Sequence, residues 1–164
     1  MSTPTTRTIP TQSGLLANLY RRFHLGCTAL QSPILLLVRL YWGWQFAQSG
    51  WGRLHHLDTA TGFFATLHVP APGPTVVIIS VLELVGGVLL ILGLGSRITG
   101  LLLAGDMLGA YLLADRDALG AIFSDPGKFY NADPYTFLFA SLLILIFGPG
   151  KFSLDYWIAR RRGA

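Results

Sequence analysis

Residues 33–52 read PILLLVRLYWGWQFAQSGWG. A helix needs roughly 20 mainly apolar residues to cross a bilayer, and this stretch meets that length with a single charge, Arg39, inside it. Working outward, three further segments have the same character: PTVVIISVLELVGGVLLILGL at 74–94, ITGLLLAGDMLGAYLLA at 98–114 and PYTFLFASLLILIF at 134–147. The last two are short for a crossing, so they are expected to borrow flanking residues or to sit in a thinned region. Prolines 33, 74 and 134 are read as helix starts, where the missing N–H costs nothing.

The bulk composition agrees. Of 164 residues, 52% are hydrophobic and 12% charged, and mean hydropathy is +0.52. Soluble domains carry about 25% charged residues, so this chain cannot coat its apolar surface with polar groups. The expected fold class is an all-α integral membrane protein, a four-helix transmembrane bundle. The net charge of +4 does not indicate nucleic acid, because the basic residues cluster at the termini beside apolar spans, as membrane topology requires.

The loop Leu94-Gly95-Ser96-Arg97 is so short that the second and third spans should be antiparallel neighbours. The other two connections are longer. Residues 53–73 carry Phe63, Phe64 and Leu67 at helical spacing ahead of three prolines. Residues 115–133 carry Leu119, Ile122 and Phe123 ahead of Asp125-Pro126-Gly127. Both predict short interfacial helices in the two outer loops. Before the first span, residues 13–31 place Leu15, Leu16, Leu19, Phe23 and Leu30 near one face beside Arg21 and Arg22, an interfacial amphipathic helix. Three regions follow: an N-terminal arm at 1–31, a membrane domain at 32–155 and a basic tail at 156–164. Met1 to Gln12 is polar and rich in threonine and proline, unlike a cleavable signal peptide.

With the N-terminus inside, inner segments carry Arg7, Arg21, Arg22, Arg97, Lys151, Arg160, Arg161 and Arg162, against Arg53, Arg116 and Lys128 outside. That excess places both termini in the cytoplasm of a cell with the protein in its inner (plasma) membrane.

Charges inside apolar spans are expensive and are normally paired or turned inward. Arg39, Glu83 and Asp106 sit on three different spans, at depths of about 9, 16 and 12 Å from the inner ends, so they are expected to meet in a buried charge cluster. Small residues surround them: Arg39, Gly43, Phe46, Gly50 and Arg53 share one face of the first span, Gly86 and Gly87 follow Glu83, and Gly105 and Gly109 flank Asp106 with GxxxG spacing that lets backbones approach. Two readings stand. The cluster is either a structural ion network fixing helix register, or a functional site in which the surplus carboxyl holds a proton, a water or a cation. His55, His56 and His68 fit no metal-ligand spacing and read as interfacial, so no metal is expected. Trp42, Trp44, Trp51 and Trp157 read as belt and packing aromatics. Cys27, the one cysteine, forms no internal disulfide or CxxC pair.

The runs RLYWGWQFAQSGWGRL, ELVGGVLLILGLGSR and GPGKFSLD together resemble the DoxX family of small four-helix membrane proteins, over about residues 32–155. Arg39, Gly43, Phe46 and Gly50 match its first-span pattern, the basic residue usual three positions later, often lysine, is Arg53 here, and Glu83, Gly86, Gly87 and Gly93 match its second. DoxX proteins are similar to the DoxD subunit of thiosulfate:quinone oxidoreductase, and some are linked to oxidative-stress systems. The resemblance therefore implies an accessory or anchoring subunit of a membrane redox system, with quinone as the cofactor it points to, and brings no general catalytic mechanism. Related disulfide-handling enzymes use paired cysteines, which this chain lacks. The alternatives are a small-solute or proton-coupled transporter working as a homo-oligomer, and a structural anchor for a soluble partner.

Overall fold

The computed structural model of the protein describes residues 12–163, and their side chains from residue 16 onward. The polar leader ahead of Gln12, with Arg7, and the side chain of Leu15 lie outside the described residues. All the regular structure described is helical: α1 (Gln12–His55), α2 (Leu57–Thr66), α3 (Pro72–Leu92), α4 (Ser96–Leu113), α5 (Arg116–Gly120), α6 (Pro126–Tyr130), α7 (Pro134–Phe147) and α8 (Leu154–Arg162). The chain divides into two compact units, one ending at Gln31 and one beginning at Ser32.

In the first unit every described side chain is exposed, including Leu16, Leu19, Phe23 and Leu30 of the expected apolar face. Cys27 is exposed too, and Thr28 Oγ1 bonds back to the His24 carbonyl at 2.9 Å. Pro33 does not start a helix; it lies inside α1. Its N–H is missing from the ladder, but one lost bond does not outweigh the helix that continues on both sides.

In the second unit α1, α3, α4 and α7 supply the apolar helices, and among the described residues two helices, α1 and α3, are long and apolar enough to cross a membrane. Helices α3 and α4 are joined by a turn in which Gly93 and Gly95 both take left-handed φ, +68° and +58°. There the amides of Gly93 and Leu94 both bond to the Leu89 carbonyl, at 2.8 and 3.0 Å, which satisfies carbonyls a helix end leaves open. Phe46, Leu90, Leu103, Met107, Tyr111, Leu138 and Ile144 form the main core. A smaller cluster of Phe64, Val69 and Val76 seats α2 against α3. The expected helix at 115–133 is two short ones, α5 and α6, the second begun by Pro126. Tyr111 ties α6 to α4 by donating its hydroxyl to the Phe129 carbonyl at 2.7 Å.

Polarity is inverted relative to a protein in water. Arg39, Ser80, Glu83, Ser96, Thr99 and Ser141 are buried, while Ile78, Ile98, Leu101, Leu102 and Ile146 face outward. Contiguous exposed apolar surface on this scale is a liability in water and the natural outside of a helix in lipid.

Candidate functional site

Arg39 is 1% exposed, and it does not meet either acid. Its Nε donates to the Leu90 carbonyl at 2.8 Å and Nη2 to the Ile91 carbonyl at 3.0 Å. Its Nη1 donates to the carbonyls of Pro149 at 2.6 Å and Phe152 at 3.0 Å. Leu90 and Ile91 belong to the last turn of α3, whose carbonyls have no intrahelical partner and carry the negative end of the helix dipole. A planar five-donor fork suits several carbonyls at once. The guanidinium also fills the space a side chain on Gly93 would need, since a Cβ there would stand 2.6 Å from Nη2. The carboxylate of Asp155 closes the same end of the molecule, accepting from Gly95 N at 2.7 Å and Ser96 N at 2.8 Å at the start of α4. The expected cluster of Arg39 with Glu83 and Asp106 is thus corrected. Helical rise puts Leu90 about 10 Å from Glu83 along α3, and Arg39 is spent on the nearer acceptors.

The acids have a different cation. Arg53, fourteen residues after Arg39 on the same face of α1, donates through Nη2 to Glu83 and to Ser49 Oγ. This is the one salt bridge among the described residues. Glu83 is 2% exposed, and Asp106 of α4 lines the same cavity. The Oδ2 atom of Asp106 is buried and has no hydrogen-bond partner. Glu83 and Asp106 are therefore brought together, with Arg53 in the place expected for Arg39.

The glycines divide likewise. A Cβ on Gly43 would fall 2.8 Å from Gly87 O, one on Gly87 2.6 Å from Ala47 N and one on Gly50 2.6 Å from Leu84 N. Helices α1 and α3 thus approach backbone to backbone, the arrangement small residues permit. Gly86 faces the Leu103 side chain, and Phe46 is fully buried against Phe137 at 4.8 Å between ring centres. Gly105 and Gly109, by contrast, have nothing within 4 Å of a Cβ. Their GxxxG spacing makes no packed seam, because Gly105 faces outward and Gly109 borders a cavity.

That cavity, about 380 Å³, lies between α1, α2, α3 and α4. Phe63, Phe64, Leu67, Leu82, Met107 and Leu113 give it apolar walls, and Arg53, Glu83 and Asp106 are its charged groups. A second cavity of about 260 Å³ lies on the other side of the ion pair, between Ser49, Asp133, Pro134 and Phe137. Arg53, Glu83, Met107 and Ala110 border both. Small-molecule sites are typically concave and mostly apolar, with a few convergent polar groups, and measure about 300–1,000 Å³. The first cavity has that form.

Residues 34–116 match the DoxX family, and they contain α3, α4 and the ion pair just described. The chain belongs to the DoxX family. It is 28% identical over 144 residues to an uncharacterized membrane protein of Mycobacterium tuberculosis, Rv3486, with 80% of this chain and 85% of that protein covered. No solved structure matches this DoxX protein. Family and apolar helices agree that it is a membrane protein.

The role of Arg53 was open to sequence reading. It shares the Arg39 face and the family pattern, but its position after the first span counted it among the outer-loop cations. Asp155 closes the GPGKFSLD run, and nothing in spacing alone shows that a residue after the last apolar helix returns to cap α4. His55 is engaged locally, its Nδ1 standing 2.9 Å from the Trp51 carbonyl.

Proposed function

We propose that this DoxX protein is a four-span inner-membrane bundle with both termini in the cytoplasm. In this reading it holds a small amphipathic molecule taken from the bilayer in the cavity between α1 and α4, and it serves as an accessory subunit of a membrane redox system. The observation that carries the reading is an apolar chamber, roofed by Phe63 and Phe64, with one ion pair and one unpartnered carboxyl oxygen on its wall. Water would be a poor occupant of such walls, and an apolar body with a polar head a good one.

A quinone meets the chamber in part. Its carbonyl oxygens need donors, and among the lining groups Arg53 supplies them through the guanidinium nitrogens not engaged with Glu83 and Ser49. Arg39, the buried arginine on the same helix face, has its nitrogens turned to backbone carbonyls. When bound, a quinone would bring two-electron redox chemistry; this chain's contribution is to orient the head at Arg53 and exclude water.

The test is purification in native-lipid discs followed by extraction and mass spectrometry, beside an Ala110→Phe variant that narrows the chamber. The expected result is an amphipathic molecule retained by the wild type and lost from the variant, with a redox protein co-purifying. Equal recovery from both would remove the chamber from the account, and the absence of any redox partner would remove the accessory role.

A second reading, proton-coupled transport, draws on Glu83 bordering both cavities. A buried carboxyl touching two chambers is placed as a gate group would be. Proteoliposomes that pass neither protons nor small solutes would exclude it.

A further inference from the structure

The chamber's charges do not balance. Among the described residues its charged lining consists of Arg53 from α1, Glu83 from α3 and Asp106 from α4; α2 contributes none. On the far side of the ion pair the added charged group is another acid, Asp133, just before α7. The single positive charge is committed, because Arg53 is held by Glu83 and Ser49. Asp106 is left with a buried oxygen that nothing satisfies, and it borders the apolar chamber but not the second cavity. An isolated carboxylate in such surroundings is unfavourable, so the group either holds a proton or meets a positive charge.

Resting on the reading that this chamber holds an amphipathic molecule, we infer that its ligand is a lipophilic cation, a protonated amine on an apolar body, taken up in exchange for one proton. Without ligand, the Asp106 carboxyl keeps its proton. With ligand, the ammonium head sits at Asp106 Oδ2 and the proton leaves. One N–H···O contact forms, one carboxyl O–H ionises, and the charge of the site is the same before and after. The walls suit such a head, since the faces of Phe63 and Phe64 attract cations as well as apolar chains. A carboxylate or phosphate head would meet two acids and one neutralised guanidinium, and would be rejected.

The experiment titrates the purified protein in lipid discs with octylamine, octanol and octanoate, three heads on one chain. Calorimetry in two buffers of different ionisation enthalpy counts the protons released. A primary amine resembles lysine and is charged near neutral pH. The expected result is saturable octylamine binding at least about tenfold tighter than octanol, no octanoate binding, and close to one proton released per amine. Because cation and proton compete, amine affinity should rise with pH, by up to about tenfold per unit, while octanol affinity stays flat. Asp106→Asn should abolish the amine preference and the proton release and leave octanol bound.

Octanol binding as tightly as octylamine, or amine binding without proton release, overturns the cation inference and leaves the amphipathic chamber standing. Saturable binding of none of the three overturns both. If Asp106→Asn does not fold, the pH dependence in the wild type decides alone.

Discussion

Arg53 and Glu83 form an ion pair at the chamber wall of this DoxX protein, while Arg39, on the same face of α1, bonds only to backbone carbonyls. Two arginines that look alike in sequence thus have separate work. One stands at the chamber wall, and the other closes the end of α3 against the segment that follows α7.

Replacing Arg39 should therefore harm folding rather than binding. Lysine keeps the charge but not the planar fork, and each charge-assisted bond contributes about 1.5–3 kcal/mol. Arg39→Lys is expected to cost about 2–4 kcal/mol, lowering the melting temperature by roughly 5–15 °C. Thermal unfolding followed by tryptophan fluorescence in detergent measures this. A variant that melts like the wild type would show that the four carbonyls find other partners.

The glycines provide an internal contrast. Gly87→Ala would drive a methyl group into Ala47 N at 2.6 Å, and overpacking against backbone costs about 1–3 kcal/mol or more. Gly105→Ala meets nothing and should be neutral or stabilising by up to about 1 kcal/mol through helix propensity. Melting curves of the two single variants are enough to compare them.

Much of the helical frame was legible in the sequence, because long apolar runs and prolines mark helices without help from tertiary structure. The run 134–147 became α7 without a shifted end, and the short connection expected at 94–97 lies at 93–95. Pro33 misled because a proline can also sit inside a long helix when helical residues continue on both sides. The partner of Glu83 could not be read, because depth along a span does not say which way a guanidinium reaches. Arg39 reaches the carbonyls at the end of α3, and those belong to the backbone, which carries no sequence letter. The GxxxG at Gly105 and Gly109 is a spacing any helix face can display; only the neighbouring helix decides whether it packs.

The Arg53–Glu83 pair should show strong coupling. Removing one partner leaves a charge with poor company, and the Arg53 side chain is 27% exposed, so a cost at the lower end of buried pairs is expected, about 1–3 kcal/mol. A double-mutant cycle of Arg53→Met and Glu83→Leu reports it. The double variant should be more stable than the sum of the single losses implies, and strict additivity would dissolve the pair.

Asp155 holds the start of α4 through Gly95 and Ser96. Loss of such a cap costs about 0.5–2 kcal/mol. Asp155→Ala should thus lower the melting temperature and speed hydrogen exchange at the first turn of α4, while the chamber keeps its binding. Unchanged exchange there would assign the cap no weight.

Cys27, exposed in the first unit, reports orientation. A membrane-impermeant maleimide should label it in inverted vesicles and not in intact spheroplasts. The opposite pattern would place the N-terminus outside.

The Pro149 and Phe152 carbonyls follow Arg39 by 110 and 113 residues. At about 5–20 residues per second of synthesis, the guanidinium waits roughly 6–22 s for them. During that interval the nascent chain has an arginine in its first apolar helix without two of its four acceptors. A copy ending at Phe147 would possess α1 through α7 and never supply them. The final stretch is thus the last part of the Arg39 socket to be made, and until it arrives the cation has only the Leu90 and Ile91 carbonyls.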